Sequence, residues 1–480
     1  MIFRPSGNPP APSGLTVLRS LLVFLPGGLL IAFLSAMLLF STPLDAAEYL
    51  EADTPIPNSL AEVPSATQSI GLTPDEISLQ NDLPRPILME ILPSLRQNLF
   101  PRTGFAGIDD AVFSVQPRIY FRYRNNNGEN TEEVAAIGGA LKFESGWMAD
   151  VFRVTLVGYT SQKLYARPGG GGAGLLRPDG QGITVLGQAF GEFKYSDSSV
   201  IFGRIPLDVP YINADDSRMI PNTFEGVAFR STEVENLQIG FGHIFSIKAR
   251  DSVDFVSMSE KAGAEGSTNG VSVAGFRYNF TDDFNVGGVN LCGWNTFNTF
   301  YLETERSLTF TEDLSMVLGG QFTDQRSVGD QLLGHFATQS AGAKAAIGYR
   351  SLIASANFTW TGRGDGIQKP WGGSPSFNST VIADFDRAGE LAFRAGLSMD
   401  FSDFGLNGLA ASANWVCGNT PDSGAAASPD QQEFNITIDF IPPVKYLDQL
   451  WLRFRYAENR MSNGYDRREF RVVLNYSYSF

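Results

Sequence analysis

The sequence has little of the chemistry on which enzymes and small secreted domains depend. Its 480 residues include two cysteines, Cys292 and Cys417, and two histidines, His243 and His335. Two cysteines are too few for a disulfide framework, and no zinc-binding spacing or HExxH motif occurs. Charged residues make up only 18% of the chain, and acidic residues outnumber basic ones by 51 to 36, which argues against nucleic acid as a partner. We therefore expect no enzyme, no cofactor and no metal site.

Long hydrophobic runs are also scarce, since only residues 21–40 form one. Arg19 precedes this run and Ala46 and Ala47 follow it, which is typical of a secretory signal peptide over residues 1–47. An uncleaved membrane anchor is the alternative, because about 20 apolar residues can span a bilayer.

The next segment differs in composition from everything after it. Residues 48–107 are rich in proline and acidic side chains, lack strand alternation, and contain a helix start at residues 73–76. We predict a partly disordered N-terminal extension here, with a role as a plug or docking segment left open. Residues 108–480 are predicted to form one domain of short strands.

The last eleven residues give the clearest pattern. Apolar or aromatic side chains occupy the even positions Phe470, Val472, Leu474, Tyr476, Tyr478 and Phe480, and most odd positions are polar. Such a row would aggregate in water, but in a closed membrane barrel the last strand has a partner on each edge. We expect a protein of the bacterial outer membrane, with the strand that ends in Phe480 contacting the barrel-assembly machinery.

Connections between the strands alternate between short and long. Short turns are predicted near residues 145–150, 196–199, 232–236, 281–283, 311–313, 349–351, 404–408 and 444–449. Long loops are predicted at residues 125–133, 166–181, 206–225, 249–268, 327–340, 362–389 and 419–432. The pattern predicts an all-β fold, a transmembrane antiparallel β-barrel of about 18 strands, with residues 285–300 as the least certain stretch. A barrel of this size leaves a water-filled lumen, which favours a channel.

Basic side chains recur on the inward face of strands that become neighbours when the barrel closes. The predicted track, to which Arg230 is a further candidate, consists of Arg118, Arg122, Arg124, Arg394, Arg453, Arg455 and Arg471. Clustered guanidiniums attract anions and bind carboxylates through two parallel hydrogen bonds. The alternative is that these arginines only pair with carboxylates on neighbouring strands.

The loop at residues 206–225 has three prolines and a mixture of charges. It is a candidate constriction, in which Tyr211, Asp215, Asp216, Ser217 and Arg218 face the arginine wall. The alternative is an exposed outer loop.

With these features the chain resembles the OprD family of outer-membrane porins, monomeric channels of 18 strands specific for small carboxylates. The segments that carry the resemblance are residues 220–226 with 234–237, 323–334, 370–373 with 386–390, and 469–471. The resemblance implies that residues 211–222 fold inward and that Arg118, Arg122, Arg453, Arg455 and Arg471 guide the solute. The long signal segment and the extension at residues 48–107 depart from the family.

These observations predict passive diffusion of small carboxylate solutes, such as amino acids and aromatic acids, through an arginine-lined pore. The expected partners are these solutes, outer-membrane lipid and lipopolysaccharide. Two alternatives are an outer-membrane barrel hydrolase and a structural or adhesive barrel without conductance.

Overall fold

A computed structural model describes residues 103–127, 130–444, 447 and 449–479 of the chain. The predicted signal peptide at residues 1–47, all but the last five residues of the predicted extension, and Phe480 lie outside the described residues. These three predictions therefore stay predictions.

Almost every described element is a strand. The strands in chain order are β1 (Val112–Asn126), β2 (Asn130–Glu144), β3 (Phe152–Ala166), β4 (Ile183–Tyr195), β5 (Ser198–Ile205), β6 (Asp208–Val209), β7 (Ile212–Asn213), β8 (Thr223–Val234), β9 (Leu237–Lys248), β10 (Phe255–Ser257), β11 (Val271–Thr281), β12 (Phe284–Gly293), β13 (Phe297–Thr311), β14 (Leu314–Ser327), β15 (Ala337–Tyr349), β16 (Leu352–Thr361), β17 (Leu391–Asp400), β18 (Leu409–Asn419), β19 (Gln431–Phe440), β20 (Leu450–Met461), β21 (Asp466–Tyr476) and β22 (Tyr478–Ser479). Two one-turn helices, α1 (Ala106–Asp109) and α2 (Met258–Lys261), and a 3₁₀ turn at Ser402–Phe404 complete the set. Among the described residues, no helix has the length and apolar character needed to cross a bilayer.

The strands close into a ring. Each long strand pairs antiparallel with the next, and β1 pairs with β21 from Arg118 opposite Asn475 to Asn126 opposite Arg467. Within the described residues the ring has 18 strands, because β6, β7 and β10 lie in loops and β22 continues β21 along β1. The predicted strand number is confirmed. The uncertain stretch at residues 285–300 contains most of β12 and the start of β13, joined by a turn at residues 294–296.

The barrel wall is apolar on its outer face and polar on its inner face, the reverse of a closed sheet in a water-soluble protein. In β19 the side chains of Glu433, Asn435 and Thr437 are buried, whereas Phe434, Ile436 and Ile438 are exposed. The same alternation continues into β20, where Arg453 and Arg455 are buried beside exposed Phe454 and Tyr456. Apolar outside and polar inside is the arrangement that lipid requires of a barrel.

The end of the final strand is packed more closely than the rest of it. Its pairing is interrupted at Ser477, and Tyr476 and Tyr478 are buried in a small apolar cluster with Leu450. The two tyrosines therefore stabilise the short-turn end of the closure seam, the junction of β20, β21 and β1.

An apolar cluster fills part of the interior. It joins inward residues of β9 and β11–β13 to side chains from the long loops, among them Tyr211, Met258 and Trp371. Trp371 stacks on Phe297 with ring centroids 4.9 Å apart and donates a hydrogen bond to the Met258 carbonyl at 2.7 Å. This packing joins long loops to the inner face of the wall.

Candidate functional site: a constriction beside the arginine wall

The loop between β5 and β8 crosses the interior of the barrel. On one side the Tyr211 hydroxyl lies 2.8 Å from the Thr323 hydroxyl of β14. On the other side Asp216 accepts two hydrogen bonds from Arg118 of β1, at 2.6 and 2.8 Å. Since β1 and β14 stand far apart on the ring, one loop can contact both only through the lumen. The predicted inward fold of this loop is confirmed.

The tip of this loop is acidic and faces cationic partners. Asp215 forms an ion pair with Arg250 at 2.5 Å, and the Ser217 hydroxyl also accepts a hydrogen bond from Arg250. The side chains of Asp215 and Asp216 keep about a fifth of their surface exposed, at 21% and 22%. The tip therefore presents carboxylates to the water in the lumen. Arg250 was not among the predicted residues, because it lies outside the β5–β8 loop, in the loop that follows β9.

Arg218 lies deeper than the other residues of the tip. Its side chain is buried, and its Nη1 donates to the Ser217 carbonyl at 2.7 Å. Burial, with further effects from the nearby charges of Arg471 and Arg250, lowers the pKa of Arg218 to about 10. Arg218 therefore stays protonated at neutral pH and adds positive charge behind the tip.

Three predicted arginines meet at one level of the closure seam. Arg122 of β1 and Arg455 of β20 both pair in register with Arg471 of β21. Buried Glu469 lies among them and accepts from Nε of Arg122 at 2.6 Å and from Nε of Arg471 at 2.6 Å. Arg124, one row further along β1, donates to the same carboxylate at 3.3 Å. One buried acid thus neutralises part of the charge of three guanidiniums and fixes their positions.

The same arginines hold two more long loops inside the barrel. Arg122 donates through Nη1 to the Ala173 carbonyl, in the loop between β3 and β4. Arg471 donates through Nη2 to the Val381 carbonyl at 3.0 Å, in the loop between β16 and β17. The inward course of these two loops was not predicted from their sequences.

The remaining arginines of the predicted track also have partners on the wall. Arg453 forms an ion pair with Asp439 at 2.7 Å and lies over the Trp451 ring at 4.5 Å. Nε of Arg455 donates to the Thr437 hydroxyl at 3.0 Å. Both side chains are buried.

Arg394 and Arg230 lie farther from the seam. Arg394 donates twice to Asn414, at 3.0 and 2.8 Å, and also to the Phe377 carbonyl at 3.4 Å. Arg230 is exposed on β8, opposite Ser199 and Gly240 and away from the constriction.

Exposure divides the arginines into two groups. The side chains of Arg124, Arg250 and Arg118 are 32%, 29% and 17% exposed, so water and solutes in the lumen reach them. Those of Arg453, Arg471 and Arg122 are only 5%, 4% and 2% exposed. The structure thus brings together all arginines of the predicted track except Arg394, but most of them support the wall and the loops.

The opposite wall carries acids. Glu303 and Glu305 point inward from β13, which stands midway round the ring from β1. Glu303 pairs with Arg277 and accepts a hydrogen bond from the Tyr301 hydroxyl at 3.0 Å, and Glu305 pairs with Lys344 at 2.5 Å. The wall opposite the seam therefore carries carboxylates that are each paired with a cation.

A third charged group lies in the loop between β16 and β17. Lys369 forms ion pairs with Asp384, at 2.9 Å, and with Asp386. Burial, together with the neighbouring charge of Asp384, raises the pKa of Asp386 to about 6, although Lys369 acts in the opposite sense. Two acids share one lysine, so this group carries a negative charge that depends on pH.

The family model for outer-membrane porins of the OprD family matches residues 103–480. The chain belongs to the OprD family. It is 22% identical to Porin D of Pseudomonas aeruginosa over 405 residues, which cover 78% of this chain and 91% of the relative. It is 25% identical to the porin-like protein GalP of Pseudomonas putida over 190 residues, which cover 38% of this chain and 46% of the relative.

Solved OprD-family structures have the same fold. The crystal structure of Pseudomonas aeruginosa OccK9 (OpdG) superimposes with a TM-score of 0.73 at 23% identity, covering 78% of this chain and all of that one. The structure of Pseudomonas aeruginosa OpdK with vanillate gives a TM-score of 0.71 at 22% identity, covering 78% of this chain and 100% of that chain. Membership of the family makes this chain a porin of the bacterial outer membrane, a channel and not an enzyme.

Proposed function

We propose that this OprD-family porin lets small carboxylates, such as amino acids and aromatic acids, diffuse passively across the outer membrane. The observation that carries the proposal is the position of Arg118, Arg124 and Arg250. These three partly exposed guanidiniums stand at or beside the place where the β5–β8 loop narrows the lumen. Guanidinium groups in a confined channel attract anions and bind carboxylates in a bidentate manner.

The arginines of the seam support anion passage. Eight described guanidiniums lie on or beside the seam, those of Arg118, Arg122, Arg124, Arg218, Arg250, Arg453, Arg455 and Arg471. Five carboxylates among the described residues form ion pairs with them, those of Glu132, Asp215, Asp216, Asp439 and Glu469. Guanidiniums that line a pore offset part of the cost of moving an anion out of bulk water.

The tip of the loop provides for release of the solute. Asp216 already occupies the two donors of Arg118 that a solute carboxylate would use. A solute therefore exchanges with a carboxylate of the protein, and similar bonds are broken and made. Binding stays weak, as conduction requires. For a zwitterion, the ammonium group faces Glu303 and Glu305 while the carboxylate faces the seam.

Two expectations about partners remain proposals. Vanillate, the compound named with the OpdK structure, is an aromatic carboxylate, which is in keeping with the solute class proposed here. Contact of the last strand with the barrel-assembly machinery is proposed from the aromatic residue at position 480 alone.

The test is the reversal potential of single channels in planar bilayers under a gradient of sodium benzoate. We expect benzoate to be more permeant than sodium, and we expect R118Q and R250Q each to reduce this preference by about threefold to tenfold. R350Q is the matched control, because Arg350 lies in an exposed turn outside the lumen and pairs with Asp313 at 3.5 Å. A preference for sodium in the unmodified porin, or equal effects of R118Q and R350Q, would contradict the proposal.

A further inference from the structure

The described part of the chain begins at the short-turn end of the barrel, beside the turn that joins β2 and β3. Asp109 of α1 accepts hydrogen bonds from the backbone nitrogen of Thr103 at 2.7 Å and from its hydroxyl at 3.1 Å. Gly146 of the turn donates to the Gly107 carbonyl at 3.2 Å. These bonds fix the place where residues 48–102 join the barrel. Short turns belong to the periplasmic end of such barrels, so this place is the periplasmic mouth of the pore.

An exposed apolar patch lies at this place. It consists of Phe105 and Ile108, which are 51% and 41% exposed, and of Val112 at the start of β1, which is 36% exposed. Val112 extends the patch onto the inner face of the wall, because it is an even-numbered residue of β1, as are the inward residues Arg118 and Arg122. Since the patch lies at the mouth and not on the outer belt, a segment that covers it removes apolar surface from water.

Two cations on the inner face of the same rim, Lys194 and Arg230, have no carboxylate partner in the described part of the chain. These rim cations lie on β4 and β8, and both are in register with Ser199 of β5. Lys194 lies over the ring of Trp147 at 3.9 Å, and Trp147 directly follows Gly146, which contacts α1. The rim cations are therefore close to the point where the extension joins the barrel.

The carboxylates on this part of the inner face belong to other cations. Glu144 pairs with Lys142 at 3.0 Å and with Arg153 at 2.9 Å, and Glu192 pairs with Arg153 at 2.6 Å. Glu233, near the end of β8, accepts hydrogen bonds from the turn between β4 and β5. Among the described residues, the exposed acids of the short turns form no ion pair with the rim cations either. A carboxylate that arrives at a rim cation thus displaces water and not an acid of the wall.

The extension has the apolar and acidic side chains that complement this mouth. Residues 87–100, next to the rim, carry eight large apolar side chains, and residues 48–84 carry seven acidic residues and no basic one. A chain as long as the extension spans at most about 180 Å, so every part of the mouth is within its reach. Attachment to the rim gives the segment an effective concentration on the order of a millimolar, so weak contacts are enough for docking.

We propose that residues 48–102 dock inside the periplasmic mouth and close the pore for part of the time. The apolar stretch covers Phe105, Ile108 and Val112, and carboxylates of residues 48–84 bind the rim cations. The docked segment competes with any solute for the periplasmic end of the lumen. Docking requires only that the barrel conducts and not that it prefers carboxylates.

The test records single channels in potassium chloride, which measures closure apart from solute preference. We expect the porin with its extension to visit a level of low conductance that is absent from a variant lacking residues 48–102. K194Q/R230Q should lower the ratio of closed to open time by about twofold to tenfold, because each exposed ion pair contributes little. R350Q is the matched control, since Arg350 lies in a short turn at the same end of the barrel but outside the lumen. It should close like the unmodified porin.

The apolar contact and the side of docking are tested separately. F105S/I108S should lower the same ratio, whereas F404S should not, because Phe404 is exposed in the short turn between β17 and β18. A peptide of residues 48–102, added to the variant that lacks them, should restore closure from the short-turn side of the bilayer only.

Four results would overturn the proposal. The first two are unchanged closure after deletion of the extension, and closure of K194Q/R230Q equal to that of the unmodified porin. The third is restoration of closure by the peptide from the long-loop side only. The fourth is an effect of F105S/I108S on the oligomeric state alone, since the patch is then a contact between two copies. Loss of the benzoate preference with closure unchanged would contradict the proposed function and not this proposal.

Discussion

A single carboxylate, Glu469, determines how the arginines of the seam are arranged. It is buried, and it accepts hydrogen bonds from Arg122, Arg124 and Arg471 on two neighbouring strands. The inward direction of these arginines could be predicted from the sequence because they fall on one face of their strands. It did not show that an acid between them holds them, since Arg122 and Glu469 are 347 positions apart in the chain.

We predict that E469Q strongly destabilises the porin. The substitution leaves three guanidiniums without their shared counter-charge, and removal of one member of a buried ion pair costs about 3–5 kcal/mol. The measurement is urea unfolding of the porin in lipid vesicles. The control is D313N, which removes an exposed ion pair with Arg350 and should cost less than about 1 kcal/mol. Similar losses in the two variants would show that Glu469 has no special role.

Loss of a carboxylate from the acidic tip should change the anion preference in the opposite direction to loss of an arginine. D216N removes the carboxylate that occupies Arg118, so a solute carboxylate meets less competition there. We expect the permeability ratio of benzoate to sodium to rise by about twofold to tenfold. The ratio is measured from reversal potentials, again with D313N as the control. A fall in the ratio would mean that Asp216 does not limit access to Arg118.

At the scale of elements, the inward loops differ in how far they could be predicted. The β5–β8 loop has three prolines and a mixture of charges, which favoured a stiff segment facing the arginine wall, and its inward fold is confirmed. The loop between β16 and β17 was predicted only as a long outer loop. Its inward course depends on distant contacts, such as that of Trp371 with Met258, 113 positions away. No local pattern encodes such a contact.

Trp371 should therefore be the anchor of that loop. Replacing a buried aromatic residue with alanine costs about 3–5 kcal/mol. We predict that W371A releases the loop from Phe297 and gives a larger and noisier single-channel conductance than the unmodified porin. The control is W294A, because Trp294 is exposed at the turn between β12 and β13. If W371A and W294A have the same conductance, Trp371 does not hold the constriction.

The pH response of the same loop follows from Asp386. Its pKa is raised by burial from the usual 3.8 to about 6, so it is largely ionised at about pH 7 and largely protonated at about pH 5. Protonation removes a negative charge beside Asp384, so anion preference should rise as the pH falls through 6. In D386N this change, read from reversal potentials at the two pH values, should be absent. A D386N channel as sensitive to pH as the unmodified one would assign the response to another group.

Asp386 also makes the folding stability of the porin depend on pH, and this contribution, like the anion preference, is larger at lower pH. A raised pKa in the folded state means that the folded porin binds a proton between about pH 4 and 6 that the unfolded chain does not. This group therefore favours folding at lower pH, and the contribution is lost as the pH rises through 6.

At the scale of the whole molecule, the barrel was predictable because its signal is local. Alternation with a period of two and the sequence of short turns and long loops gave the strand number, which is confirmed. The arrangement of charges across the lumen was harder to predict from the sequence. It requires knowing that β13 stands opposite β1. It also requires the burial of Arg122 and Arg471, which long loops contact from the inside of the barrel.

The central proposal is that this porin is a passive pore whose guanidinium wall favours carboxylates. The most direct measurement compares the single-channel current carried by benzoate with that carried by benzyltrimethylammonium, an aromatic cation of comparable size, in planar bilayers. We predict a larger current for benzoate, driven in either direction by the gradient alone. No conductance at all, or a larger current for the cation, would contradict it.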